Sequence, residues 1–304
     1  MRLGLLTSIL ENMSFEEAVD FAADTGYECL EVACWPDVKA ERRYAGVCHI
    51  DVVMLDEKRA EEIKAYCAKR GVYISALAYY PNTMDENLEK REKSISHLKQ
   101  VILASKKLNV NMVTTFIGRE QSKNVQDNLK EFVKVWKPII AFAEEHQFKI
   151  AIENCPMLFG EEQWPGGQNL ACAPTIWEKM FETINSDYFG LNFDPSHFVW
   201  QQMDYIKPIY RFADKIYHVH FKDIKLFRDK LDEVGILAYP LEYMSPKIPG
   251  LGDIKWGRFV SALTDIGYEG SACVEVEDKA FEKDERAVKQ AVELSYKYMR
   301  NYVI

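Results

Sequence analysis

Short runs rich in β-branched and aromatic residues alternate along the chain with longer stretches whose apolar positions recur every three or four residues. The runs predict strands at 3–7, 29–33, 73–77, 112–116, 149–153, 190–194, 216–221 and 272–276. Helical patterns begin near Ser14, Asp56, Asn87, Asn124, Pro174, Tyr205, Trp256 and Lys283. Several open on cap-type residues, and Ser14 with Glu17 three residues later forms a capping box. Eight βα units in 304 residues predict an α/β protein with a parallel sheet and outer helices, closed into a single-domain (β/α)8 TIM barrel over 1–304. No G-x-G-x-x-G follows the first strand, which weighs against an open dinucleotide-binding sheet. Three connections exceed a simple turn: 34–55, 154–173 and 223–255, after the second, fifth and seventh strands. Loops that follow barrel strands lie on the face where this architecture builds active sites.

Four consecutive predicted strands end in acid or imidazole side chains. The fifth ends at Glu153, and the sixth at Asp194 with His197 just beyond. The seventh carries His218, His220, Lys222 and Asp223, and the eighth carries Glu275 with Glu277 and Asp278 following. Successive barrel strands are neighbours, so these groups converge on one mouth. Inward carboxylates repel one another and are costly to bury unless paired or bound to an ion. A divalent cation removes that cost. Glu153, Asp194, His220 and Glu275 offer three carboxylates and one imidazole, a mostly hard-oxygen set that suits manganese first, with magnesium, cobalt or zinc as alternatives. Any one of these acids alone reads more simply as a salt-bridge or cap partner; their coincidence at four neighbouring strand ends favours the ion.

His218 and His220 share a strand face, so one reaches the ion while the other lies a layer deeper or touches substrate. Lys222 points with His220, either toward a substrate alkoxide or a ligand carboxylate or into a surface ion pair. Glu277 reads as substrate-facing or as a solvated loop acid. His49, His97 and His146 read as surface or capping residues. Glycine-rich turns at 164–167 and 249–253 either let backbone approach a ligand or make tight corners. Among the loop aromatics, Trp35 and Trp164 are candidate walls for the CH-rich face of a sugar.

Composition narrows the partners. With 38 Lys and Arg against 47 Asp and Glu the net charge is -9, which leaves no broad cationic face for nucleic acid. Seven scattered cysteines without a C-x-x-C pair argue against a disulfide framework and a thiolate zinc site. The amino terminus runs into Glu11 and Asn12 without a cleavage site and reads as a strand rather than a signal peptide. No apolar stretch approaches membrane-spanning length. A cytoplasmic location is the expectation.

Ile152-Glu153-Asn154, Asp194-Pro195-Ser196-His197 and His218-Val219-His220-Phe221-Lys222-Asp223 are the most telling pieces, with Pro249-Gly250-Leu251-Gly252-Asp253-Ile254-Lys255-Trp256 and Gly267-Tyr268-Glu269-Gly270 leading to Val274-Glu275-Val276-Glu277-Asp278. Over nearly the whole chain they resemble the sugar isomerase and epimerase superfamily with the xylose-isomerase-like barrel. Members similar to D-tagatose 3-epimerase imply one divalent ion held by Glu153, Asp194, His220 and Glu275. The same resemblance implies that the two glutamates act as acid and base on opposite substrate faces, and that His197 binds a substrate oxygen or approaches the metal. One departure stands out: hexulose epimerases usually place a substrate-binding Glu shortly after the first ligand, where this chain has Cys155-Pro156-Met157-Leu158-Phe159 before Glu161 and Glu162. That counts against a free ketohexose and brings the chain nearer the branch acting on keto-sugars and 3-keto-glycosides.

The expected activity is therefore isomerisation or epimerisation of a keto-sugar or keto-glycoside by loss of a proton alpha to a carbonyl, through a metal-stabilised ene-diolate. The nearest alternative expels a β-substituent from a 3-keto-glycoside, as a lyase or deglycosidase with a small second subunit. A barrel that binds a sugar or protein partner without turnover is the alternative from another class. A DNA-repair endonuclease on the same barrel would need more histidine ligands and a basic groove. No phosphate-cradling loop is evident, which favours unphosphorylated sugars, and fold analogy suggests a homo-oligomer.

Overall fold

Parallel pairing runs unbroken around a ring of eight strands in the computed structural model, which describes residues 1–36, 45–158 and 160–303. The strands are β1 (Arg2–Leu6), β2 (Cys29–Ala33), β3 (Tyr73–Ala78), β4 (Met112–Thr115), β5 (Lys149–Glu153), β6 (Phe189–Phe193), β7 (Ile216–Phe221), β8 (Asp223–Leu226), β9 (Met244–Lys247) and β10 (Ser271–Val274). The ring order is β1-β10-β7-β6-β5-β4-β3-β2, closed where Leu5 pairs with Val274 on one side and Leu30 on the other. Every strand of the predicted set is present, and the (β/α)8 barrel is the fold.

The main outer helices are α1 (Phe15–Thr25), α2 (Glu57–Arg70), α3 (Leu88–Lys107), α4 (Val125–Glu145) and α5 (Pro174–Thr183). Three short ones follow, α6 (Ser196–Trp200), α7 (Lys207–Arg211) and α8 (Arg228–Val234), then α9 (Trp256–Asp265) and α10 (Glu285–Met299). Their starts follow the capping chemistry. Ser14 Oγ accepts from the Glu17 amide while the Glu17 carboxylate accepts from the Ser14 amide, and Asp56, Asn87, Asn124 and Asp284 each cap the helix after them. Fully buried Trp136, Trp177 and Trp256 fill the layer between strands and helices. At the barrel axis the space is so tight that a Cβ on Gly4 would lie 2.5 Å from Cys273 Sγ and 2.6 Å from Cys29 Sγ.

Two sequence expectations need correction here. The connection 223–255 is not plain loop, because β8 and β9 pair antiparallel inside it. The sixth and eighth strands also end earlier than their apolar runs imply, at Phe193 and Val274, so Asp194 and Glu275 stand one residue beyond the ladder. The Glu275 amide still donates to the Phe221 carbonyl at 3.2 Å, which keeps its side chain aimed at the mouth. The first long connection, 34–55, lies partly outside the described residues at 37–44, and Phe159 lies outside them too. Among the described residues, no helix is long and apolar enough to cross a membrane.

Candidate metal centre and active site

Strands β5, β6, β7 and β10 are consecutive in the ring, and their ends bring Glu153, Asp194, His220 and Glu275 together. One ligand atom from each lies within 4.8 Å of the others. Glu153 Oε1, Asp194 Oδ2, His220 Nδ1 and Glu275 Oε2 are all buried without a partner of hydrogen-bond geometry, and so is His197 Nε2 nearby. Buried polar atoms are rarely left this way, and here they converge on one point. Hard carboxylate oxygens plus one imidazole nitrogen fit a divalent ion, so the residues present suit the group that the sequence implies.

The rest of each ligand is pinned by its neighbours. Asp194 Oδ1 accepts from the Ser196 amide at 2.7 Å, which leaves Oδ2 facing the mouth. Asn154 braces the same turn twice: its Oδ1 accepts from the Asp194 amide and its Nδ2 donates to the Asp194 carbonyl, both at 2.8 Å. Asn169 Nδ2 ties the carbonyls of Glu153 and Cys155 at 2.9 and 2.7 Å. His197, on the first turn of α6, places Nε2 3.1 Å from Asp194 Oδ2 and 3.4 Å from Glu153 Oε1.

Lys222 is not a surface ion pair. Its buried Nζ lies 3.0 Å from both Asp194 Oδ2 and Glu275 Oε2, 3.4 Å from Glu277 Oε2 and 3.9 Å from Glu153 Oε1. Burial alone would lower its pKa; Asp194, Glu275, Glu277 and Glu153 outweigh that and hold it well above the ordinary lysine value, as an ammonium. The two glutamates are driven apart. Burial would raise Glu153, but bonds to His197 and His220 and the Lys222 charge hold it at about 2. Burial raises Glu275, the Lys222 charge offsets only part of this, and the Glu153 charge adds to it. Glu277 is half-buried beside Lys222 and lines the mouth.

A cavity of about 600 Å³, part of it open to solvent, lies over this cluster. Glu153, Lys222, Glu275 and Glu277 line it together with Trp35, Tyr80 and Phe116. Trp35 thus stands where the sequence puts a wall. Trp164 does not: its indole nitrogen donates to the Leu237 carbonyl at 2.6 Å and its ring faces Trp200, outside the described lining. The glycine turn at 249–253 is a tight corner, since Gly250 donates to the buried Asp223 carboxylate at 2.9 Å and a Cβ on Gly252 would lie 2.2 Å from Asp223 Oδ1.

His218 occupies the deeper layer, its Nδ1 3.0 Å from Asn192 Oδ1, and burial pushes its pKa down to about 4. His49 is a correction: it is buried, with Nε2 3.2 Å from the Leu10 carbonyl and Nδ1 3.0 Å from Thr7 Oγ1, because the chain after β2 folds back onto the turn after β1. His97 is also partly enclosed, Nε2 2.8 Å from the Cys34 carbonyl, whereas His146 is the cap at the end of α4.

The sequence reading missed Glu31. It is fully buried in β2, its Oε2 2.7 Å from His220 Nε2, and its Oε1 accepts from Thr114 Oγ1 at 2.6 Å and from the Tyr80 hydroxyl. Burial would raise its pKa; His220 and His218 outweigh that and bring it to about 2. The available signal was a lone carboxylate inside the apolar strand Cys-Leu-Glu-Val-Ala, where every residue is buried.

Known proteins share this framework. The chain is 26% identical over 301 residues to the protein YfiH of Bacillus subtilis (strain 168), covering 91% of this chain and 93% of that one. It is 28% identical over 106 residues to an inosose dehydratase of Clostridium perfringens (strain ATCC 13124), an alignment covering 33% of this chain and 34% of the dehydratase. Its fold superposes on D-psicose 3-epimerase with D-tagatose from Clostridium cellulolyticum H10 at a TM-score of 0.71 and 14% identity, over 100% of this chain and 99% of the other. A family model described as xylose isomerase-like TIM barrel matches residues 19–299, from within α1 to the last turn of α10 and through all four ligand-bearing strand ends. The chain belongs to the xylose isomerase-like TIM barrel family.

Proposed function

We propose that this protein is a divalent-metal-dependent enzyme that isomerises or epimerises a keto-sugar or keto-glycoside. The observation that carries the reading is the convergence of Glu153 Oε1, Asp194 Oδ2, His220 Nδ1 and Glu275 Oε2, buried and within 4.8 Å of one another. Manganese is the preferred ion, the oxygen-rich donor set also accepting magnesium, cobalt or zinc. A divalent ion there supplies Lewis-acid polarisation of a substrate carbonyl and stabilises ene-diolate charge.

The chain's own groups move the protons. Glu153 and Glu275 approach the mouth from strands β5 and β10, on either side of His220, so that a flat substrate between them meets a carboxylate on each face. One takes the proton alpha to the carbonyl and the other returns a proton: to the opposite face of the same carbon in epimerisation, or to the neighbouring carbon in isomerisation. Lys222, held as an ammonium, stabilises a developing alkoxide, and His197 and Glu277 bind substrate hydroxyls. Trp35 packs on the sugar face, while Trp164 has no part in the reading.

The test is solvent exchange. Manganese-loaded protein incubated with keto-sugars and 3-keto-glycosides in deuterated water is expected to place deuterium at the carbon alpha to the carbonyl, and Glu275→Gln to abolish it. Exchange that survives in Glu275→Gln would refute the role of that residue. A second reading, β-elimination, is supported by the partial likeness to inosose dehydratase. It predicts loss of water or an aglycone, whereas isomerisation leaves substrate mass unchanged. Binding without any exchange would favour a non-catalytic sugar-binding barrel.

A further inference from the structure

We propose that Glu31 is a positioning residue that aims His220 at the metal: its carboxylate holds the imidazole proton on Nε2 and leaves the Nδ1 lone pair facing Glu153 and Glu275. The assignment rests on the metal centre proposed above. Glu31 Oε2 approaches His220 Nε2 to 2.7 Å, on the opposite side of the ring from the ligand cluster, where Nδ1 is 3.0 Å from Glu275 Oε2 and 3.8 Å from Glu153 Oε1. A carboxylate and a ring nitrogen at that separation share a proton. A neutral imidazole has only one, so a proton on Nε2 leaves Nδ1 with the free lone pair that a metal ion requires.

With an ion on Nδ1 the Glu275 carboxylate, 3.0 Å away, no longer competes for the ring proton, and one neighbour still favours the opposite arrangement. Asn192 Nδ2 lies 2.9 Å from the same Nε2, and as a donor it would force the proton onto Nδ1, against the carboxylates. Charge decides between the two. A hydrogen bond to an ionised acceptor is roughly twice as strong as one between neutral groups. Asn192 also has other partners, the Tyr80 hydroxyl and His218 Nδ1, each at 3.0 Å. Glu31 is oriented for the task because Thr114 and Tyr80 both donate to its Oε1, leaving Oε2 for His220. A carboxylate behind a ligating imidazole strengthens the other ring nitrogen as a donor, and loss of such partners typically weakens metal affinity about 10–100-fold.

Ring nitrogens read by long-range proton–nitrogen NMR test this directly, with His220 assigned by the signal lost in His220→Gln. Zinc-loaded wild type is expected to show a proton on Nε2 and an Nδ1 signal shifted by the bound metal. Glu31→Gln is expected to raise the Nδ1-protonated population and to weaken zinc binding about 10–100-fold, with the melting temperature changed by only a few degrees. A zinc-loaded wild-type His220 that keeps a proton on Nδ1 would overturn the assignment, and so would a Glu31→Gln variant with unchanged ring spectrum and zinc affinity. The wild-type spectrum needs no variant, so it decides even where Glu31→Gln fails to fold. Wild type that binds neither zinc nor manganese sinks the metal centre itself, whereas tight binding that ignores Glu31→Gln sinks only the role of Glu31.

Discussion

A loop histidine is ordinarily solvated, yet His49 is closed in by its own chain. Its Nε2–H donates to the Leu10 carbonyl and its Nδ1 accepts from the Thr7 hydroxyl, while Thr7 Oγ1 accepts from the Ala33 amide. That set of bonds is complete for a neutral ring. Burial lowers the His49 pKa below its ordinary 6.5, so below that pH the unfolded chain binds a proton that the folded chain resists. The associated stability is fully present above pH 6.5 and is lost as pH falls from there toward the lowered folded-state value, at up to about 1.4 kcal/mol per pH unit. Melting temperatures between pH 7.5 and 5 should therefore fall more steeply in wild type than in His49→Gln; parallel curves would contradict the argument. His49 was illegible because the turn after β1 that encloses it is distant in sequence and leaves no periodic trace. Glu31 was marked by its place in an apolar strand, but its partner His220 lies on a strand that only the closed barrel brings to it. Glu153, Asp194, His220 and Glu275 were legible because barrel topology fixes where strand ends go.

At the scale of elements, the sequence marks helices well where a side chain caps them and strands well where both faces are buried. Strands β2, β5 and β7 match their predicted bounds, since each is an uninterrupted run flanked by clear breaks. The β8–β9 hairpin escaped because its strands are four residues each, one interrupted by Pro246 and neither with an apolar alternation long enough to register. What holds that hairpin to the barrel is Asp223. Its Oδ1 accepts from the amides of Ile224 and Ile254 at 2.9 and 3.2 Å, and its Oδ2 from the Gly250 amide and the Trp256 indole, both at 2.9 Å. The carboxylate thereby ties the start of a long excursion to its end. An amide in its place would turn N–H against at least one of these donors, at a cost of about 1–3 kcal/mol. Asp223→Asn should lower the melting temperature by roughly 2–5 °C and speed proteolytic cutting within 224–255. An unchanged melting curve would mean that the hairpin is held by packing alone.

The strands that carry Glu153, Asp194, His220 and Glu275 at their ends make up half of the ring, and the chain between Glu153 and Glu275 contains β6, β7, the hairpin and α9. An ion bound by all four residues therefore requires the assembled barrel, and the unfolded chain offers no equivalent site. Without the ion, these three carboxylates face, among the described residues, Lys222 and the imidazoles of His197 and His220, all crowded within a few ångströms. Mass action then fixes the sign: a ligand that binds only the folded state stabilises it, by about 2.7 kcal/mol at one hundred times its dissociation constant. In a chain of this size that corresponds to a rise of roughly 4–5 °C in melting temperature. Stripping the protein with a chelator should lower its melting point by this much and added manganese should restore it, the rise following the logarithm of ion concentration. Asp194→Asn removes one ligand oxygen and should lose the manganese-dependent rise while still folding, since the amide oxygen can keep the Ser196 contact. A melting temperature indifferent to chelator and to millimolar manganese would show that the four strand ends meet for another reason, and proton transfer by Glu153 and Glu275 would then have no ion to support it.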